Sequence, residues 1–169
     1  MNTNPSAGEL SADVRARFDA EIAKYPAEHK QSAVMGCLAI LQQERGWISP
    51  ESERQVADYL GMTPIAVHEV TTFYNMYNQR PVGKFKINIC TNVPCMFRGA
   101  GEALARLCDT LKIKPDQTTE DGMFTVQPCE CLGACGDAPV MLVNDRTMCS
   151  FMTDDRMDNL IAGLRQVKD

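Results

Sequence analysis

The sequence predicts an α+β chain, locally α/β, in two parts. Residues 1–80 read as an N-terminal helical bundle and residues 81–169 as a small sandwich with helices covering a four-stranded mixed sheet. Three observations predict this. Up to about Gln79, apolar residues recur every three or four positions in stretches bounded by capping residues. At Arg80-Pro81-Val82-Gly83 that pattern stops. From Lys84 onward, alternating and continuous apolar runs are interleaved with helical stripes in the order β-α-β-β-β-α.

Leu10, Val14, Phe18 and Ile22 mark the first helix, with Ser11 as N-cap. Val34, Leu38 and Leu41, with Cys37 at the edge, mark a second that Gly46 ends. Ser49-Pro50-Glu51 opens a third helix carrying Val56, Tyr59 and Leu60, and Gly61 closes it. Thr63-Pro64 opens a fourth, with Val67, Val70, Phe73 or Tyr74, and Tyr77 on one face. Its β-branched residues suit a strand as well, but the start signal and the spacing favour a helix. Phe85, Ile87 and Ile89 then alternate with Lys84, Lys86 and Asn88, which reads as a half-buried strand ending at Cys90. A helix follows with Ala103, Leu104, Leu107, Cys108 and Leu111 inward, then a strand at Met123–Val126. Val140–Val143 reads as a central strand and Asn144-Asp145-Arg146 as a tight turn into a last strand at Thr147–Phe151. Thr153 caps a final helix with Met157, Leu160, Ile161, Leu164 and Val167 inward.

The composition, 44% hydrophobic and 23% charged, is that of a globular chain. A net charge of −5 argues against nucleic acid or acidic lipid as partner. The longest stretch without a charge, Gln31–Gln43, falls short of the roughly 20 apolar residues of a membrane span. The polar start MNTNPSAGEL lacks the basic and apolar regions of a secretory signal. Eight cysteines without such a signal point to reduced thiols and a metal or redox site rather than a disulfide framework.

Two cysteine pairs carry the chemistry: Cys90-x4-Cys95 and Cys131-x3-Cys135. The helix and strand between them form one supersecondary unit, so the fold can bring the pairs together. Four converging thiolates bind an iron–sulfur cluster or a structural zinc ion, and spacing alone leaves both open. Neither His29 nor His68 lies near the pairs in sequence. Gly133 and Gly136 allow close backbone approach, and Thr91, Asn92 and Val93 offer N–H donors to sulfur. Cys129 stands two residues before Cys131, and spacing alone does not separate it from a ligand. Cys37 and Cys108 sit on apolar stripes and read as core thiols; Cys149 reads as structural.

The runs Cys90-Thr-Asn-Val-Pro-Cys95-Met-Phe-Arg-Gly-Ala and Cys131-Leu-Gly-Ala-Cys135-Gly-Asp-Ala-Pro resemble the thioredoxin-like [2Fe-2S] ferredoxin subunits of the proton-pumping NADH:quinone oxidoreductase, complex I. Arg45-Gly46-Trp47, Glu69-Val70-Thr71-Thr72-Phe73-Tyr74 and Pro81-Val82-Gly83 extend the resemblance to about residues 10–165. It implies a thioredoxin-like domain after the helical part. It implies one [2Fe-2S] cluster on Cys90, Cys95, Cys131 and Cys135, with Cys129 outside the ligand set. It also implies a neighbouring flavoprotein of the NADH dehydrogenase module that holds FMN and NADH and exchanges single electrons with the cluster. The expected location is cytoplasmic, on the hydrophilic arm of the complex at the inner membrane. Rival readings are the related diaphorase component of an NAD-linked hydrogenase or formate dehydrogenase, and a zinc-stapled adaptor.

No catalytic residue set of its own stands out. Gly99-Ala-Gly101-Glu-Ala-Leu104 starts like a dinucleotide fingerprint but has Leu104 at the third glycine and does not directly follow a strand. The isolated chain therefore reads as a carrier without an NADH site. Trp47, Phe73, Tyr74 and Tyr77 read as bundle core, with a partner surface as the alternative. Arg98 reads either as a cation near the cluster or as a solvated helix start, His68 as a surface or capping residue, and Asp137 and Asp145 as turn formers.

Overall fold

The computed structural model describes residues 9–167; the polar start of the chain, residues 1–8, lies outside them. The chain divides into two compact units that meet at Pro81 and Val82.

The first unit is helical. Helix α1 spans Ala12–Ile22, and the Ser11 side chain accepts from Val14 N at 3.2 Å at its start. A 3-10 segment at Ala27–Ala33, not foreseen from the sequence, leads into α2, Val34–Arg45. Helix α3, Pro50–Leu60, and helix α4, Pro64–Phe73, each begin with a capped Ser or Thr followed by proline. Gly46 and Gly61 end α2 and α3 in the left-handed conformation, with φ of 80° and 68°. Val14, Phe18, Cys37, Leu38, Leu41, Ile48, Val56, Leu60 and Val67 fill the core. On α4 the expected apolar face holds only in part. Val67 and Tyr77 are buried, but Phe73 is 80% exposed and Tyr74 is at the surface. The helix ends at Phe73, so the next residues leave the helical spacing that placed them inward. Trp47 is half-buried. His68 is at the surface and meets the buried carboxylate of Glu53 at 3.0 Å, which also accepts the Thr71 hydroxyl.

The second unit is built on a sheet of order β2-β1-β3-β4. Strand β1 is Phe85–Cys90, β2 Phe124–Cys129, β3 Met141–Val143 and β4 Thr147–Cys149. β1 runs parallel to β2 and antiparallel to β3, and β4 is antiparallel to β3, which gives the expected four-stranded mixed sheet. Between β1 and β2 lie a short helix α5, Val93–Met96, and α6, Ala100–Leu111. Helix α7, Asp154–Gln166, follows β4. Phe85, Ile87, Ile89, Phe124, Val126, Met141 and Val143 pack with Ala103, Leu107, Leu111, Met157 and Ile161 of α6 and α7.

Several boundaries differ from the sequence reading. β2 runs three residues past Val126, because Gln127, Pro128 and Cys129 stay in register with Asn88, Ile89 and Cys90. β4 stops at Cys149; Phe151 turns the chain away at φ 53°. Val167 lies beyond α7 and is exposed rather than inward. β1 is buried on both faces, not one. Its polar residues Lys86 and Asn88 find partners under the sheet, so burial does not leave them unsatisfied. Residues 116–119 run along the outer edge of β2 and cap it, with Asp116 N bonded to Val126 O at 2.7 Å and Thr119 N to Phe124 O at 2.9 Å.

Candidate metal centre

Parallel pairing of β1 with β2 builds the site. It sets Cys90 opposite Cys129 at the carboxyl ends of adjacent strands, and both cysteine loops leave from there. The ladder continues one step further, with Thr91 N donating to Cys129 O at 2.9 Å. Thr91 N–H is therefore spent on the sheet and is not a donor to sulfur, contrary to the sequence reading. Asn92 ties the two loops together by donating to Glu130 Oε2 at 2.9 Å.

Helix α5 carries Cys95 back toward Cys90. Both are buried, at 1% exposure, and pack with Ala100, Ala138 and Val140, with Cys129, Leu132 and Ala134 around them. Burial pushes the Cys95 thiol up to about 11, helped by its hydrogen bond to Cys90 and by the nearby Cys90 and Cys135 charges. Val140 N–H opposes this by donating to the Cys95 sulfur. Cys131 and Cys135 are exposed, with sulfurs 3.8 Å apart. Their mutual hydrogen bond raises the Cys135 thiol, with Cys90 again contributing. Gly133 takes φ 74° and donates its N–H to Cys131 Sγ at 3.3 Å, the backbone approach its glycine identity suggested. The four expected cysteines thus stand as a buried pair, Cys90 and Cys95, and an exposed pair, Cys131 and Cys135, within reach of each other's charge.

Cys129 is half-buried beside them. Burial first, then the Cys90, Glu130 and Asp145 charges, push its thiol up to about 12. Cys37 and Cys108 are buried in their own cores, as expected. Arg98 is exposed.

The family model for the thioredoxin-like [2Fe-2S] ferredoxin matches residues 18–165. The chain belongs to that family. This ferredoxin is 43% identical over 146 residues to NADH-quinone oxidoreductase subunit 2 of Thermus thermophilus, covering 86% of this chain and 81% of that one. It is 40% identical over 146 residues to an NADH-quinone oxidoreductase subunit of Rickettsia conorii, covering 85% and 86%. Among solved structures, the NAD+-reducing [NiFe]-hydrogenase in its H2-reduced state matches with a TM-score of 0.66 and 25% identity over 78% of this chain. The ferredoxin spans only 22% of that hydrogenase chain. Among the described residues, no helix is long and apolar enough to cross a membrane.

Membership of the family implies a [2Fe-2S] cluster, and the donor set fits one. Among the described residues, no three His, Cys, Asp or Glu side chains are arranged to hold a single metal ion. The thiols stand instead as two pairs, Cys90 with Cys95 and Cys131 with Cys135, and would supply the four thiolates that such a cluster takes.

Two contributions were not read from the sequence. The Asn92–Glu130 bond joins loops far apart in sequence. Val93, Met96 and Phe97 form an exposed apolar rim beside the buried pair, with Phe97 87% exposed. An uninterrupted Val-x-x-Met-Phe run around a candidate ligand was the signal available for the last.

Proposed function

We propose that this ferredoxin is the [2Fe-2S] electron-transfer component of an NADH:quinone oxidoreductase, exchanging single electrons with the flavin of a partner flavoprotein in the NADH dehydrogenase module. The proposal includes a cytoplasmic location on the complex's hydrophilic arm, peripheral to the membrane. It takes residues 1–80 as a helical region and 81–169 as the ferredoxin domain. The observation that carries it is the asymmetry of the four thiols, one pair buried and one pair at the surface.

Cys90, Cys95, Cys131 and Cys135 are the proposed ligands. The bound cluster supplies a one-electron store. Cys90 and Cys95, packed on Ala100, Ala138 and Val140, keep water from one side of the site. Cys131 and Cys135 leave the other side open to a redox partner. Gly133 N–H donates to a ligand sulfur and so stabilises thiolate charge. Val93, Met96 and Phe97 beside them suit the apolar centre of a protein interface. FMN and NADH are assigned to the partner. The Gly99-x-Gly101 run opens α6 directly after α5, and lacks the strand–turn–helix setting of a dinucleotide site.

A second reading, the diaphorase component of an NAD-linked hydrogenase or formate dehydrogenase, draws on the hydrogenase match. The names and higher identities of the NADH-quinone oxidoreductase relatives favour the first. The test is iron and acid-labile sulfide in anaerobically purified protein, with EPR after reduction. About two of each per chain and a signal only on reduction are expected. Zinc in their place leaves a structural adaptor and removes the electron-transfer role. NADH is expected to reduce the cluster only when the flavoprotein is added. Reduction of the isolated chain by NADH would overturn the carrier reading. Co-purifying membrane subunits of a quinone reductase, as against hydrogenase or formate dehydrogenase subunits, separate the two assemblies.

A further inference from the structure

Alternation along β1 sends Phe85, Ile87 and Ile89 toward α6 and α7, and Lys86, Asn88 and Cys90 to the opposite face. That second face carries an ionic group beneath the proposed ligand. Lys86 is 2% exposed, and its Nζ lies 2.7 Å from Asp145 Oδ2. Asn88 Nδ2 donates to the other carboxylate oxygen of Asp145 at 2.8 Å. The β3–β4 turn aims the carboxylate here. Asn144 and Asp145 take φ of 51° and 54°, a left-handed pair that Asn and Asp accept more readily than most residues. Asn144 then locks the turn to β1: Lys86 N donates to Asn144 Oδ1 and Asn144 N to Lys86 O, each at 2.8 Å. Asn144 Nδ2 also donates to Lys84 O at 3.1 Å.

Stability is a weak reason for such a pair, since a buried ion pair is often no better than packed apolar side chains. Its position gives a better one. Lys86, Asn88 and Cys90 follow one another on the same face, about 6.7 Å per step. Asp145 bonds to Asn88, the step immediately below Cys90, and its charge reaches the Cys129 thiol that stands opposite Cys90. Lys86 is buried, whereas the Asp145 side chain keeps 31% exposure, so solvent partly screens a charge that still helps to raise the Cys129 thiol.

We infer that Asp145, held by Lys86, Asn88 and the Asn144 turn, is a positioning residue that lowers the reduction potential of the cluster on Cys90, with Lys86 opposing it. The inference rests on the proposed cluster site. A unit charge near a one-electron centre, partly screened by the exposure of Asp145, changes the reduced-to-oxidised ratio several-fold, at most about tenfold or about 59 mV for one electron.

The experiment is an EPR-monitored redox titration of the full, cluster-loaded chain as wild type, Asp145→Asn, Lys86→Gln and the double variant, with iron content measured alongside. Asp145→Asn is expected to shift the ratio several-fold toward reduced at the wild-type midpoint, and Lys86→Gln to shift it the other way. The double variant should fall between them. A purely structural role lowers iron content or stability without opposite shifts. An unchanged or lower potential in loaded Asp145→Asn overturns the inference. If Lys86→Gln does not fold, Asp145→Asn decides alone by the same criterion. A wild-type chain that binds no cluster refutes the site itself, whereas a loaded chain with unmoved variants refutes only the role of Asp145.

Discussion

Cys131→Ala and Cys129→Ala delete sulfurs two residues apart, and the proposed ligand set gives them opposite consequences. Cys131 is exposed, and its Sγ touches only the neighbouring loop, accepting from Gly133 N at 3.3 Å beside Cys135 at 3.8 Å. Removing it should change the stability of the metal-free chain by no more than about 0.5 kcal/mol. Cys129 is half-buried against the cluster of Cys90, Cys95, Ala138 and Val140. Losing that sulfur forfeits about one methylene's worth of burial, on the order of 1 kcal/mol. The strand itself persists, because the ladder bond from Thr91 N ends on the Cys129 carbonyl oxygen. Iron and labile sulfide after reconstitution should therefore stay near wild type in Cys129→Ala and fall by more than about half in Cys131→Ala, which loses one of four ligands. Urea unfolding of the metal-free variants should show the reverse order. A loaded Cys131→Ala protein beside a Cys129→Ala protein without iron would refute the ligand set.

Phe97→Ser should weaken binding to the flavoprotein by roughly tenfold or more, as loss of an aromatic anchor does, while iron content and the melting midpoint stay unchanged. Calorimetry of the two purified proteins measures it, and undiminished affinity would remove Phe97 from the interface. In the helical unit, burial pushes the Cys37 thiol up to about 12, with the Glu21 and Asp19 charges adding; burial does the same to the Tyr77 hydroxyl, with Tyr74 adding. Both folded values lie above the unfolded ones. Their contribution is thus complete below about pH 9 and is lost as pH rises from about 9 toward 12. Far-UV melts should show a midpoint that falls above about pH 9, less steeply in Cys37→Ala; identical slopes would contradict the assignment.

Much of this was legible because it depended on short-range chemistry. Ser11, Ser49 and Thr63 cap the helices they were expected to cap, and Gly46 and Gly61 end theirs. β1, α6 and β2, the elements that link the two cysteine pairs, form the unit that their apolar patterns already marked. What was hidden depended on long-range packing. The alternation of Lys86 and Asn88 with apolar residues is what a half-solvated strand looks like, and nothing local reveals that Asp145, 59 positions beyond Lys86, turns back to neutralise it. Tyr74 looked buried because helical spacing was extended past the true end of α4, whereas Phe73, the last residue of the helix, faces outward. Asp145 was read as a turn former, which it is. Its second role required knowing which strand the turn lies beside.

The pairing of Cys90 with Cys129 also bears on biogenesis. Two of the four thiols arrive on β1 and α5, and the other two follow only after β2 has docked in its parallel register. A slip of one residue would turn Cys129 to the opposite face and carry the Cys131 loop out of alignment. On the proposed ligand set, iron insertion would be a late event, open only to chains whose non-local strand pairing is already correct. A maturation machinery that delivers iron to this protein would, without any separate recognition step, be sampling for correctly folded molecules.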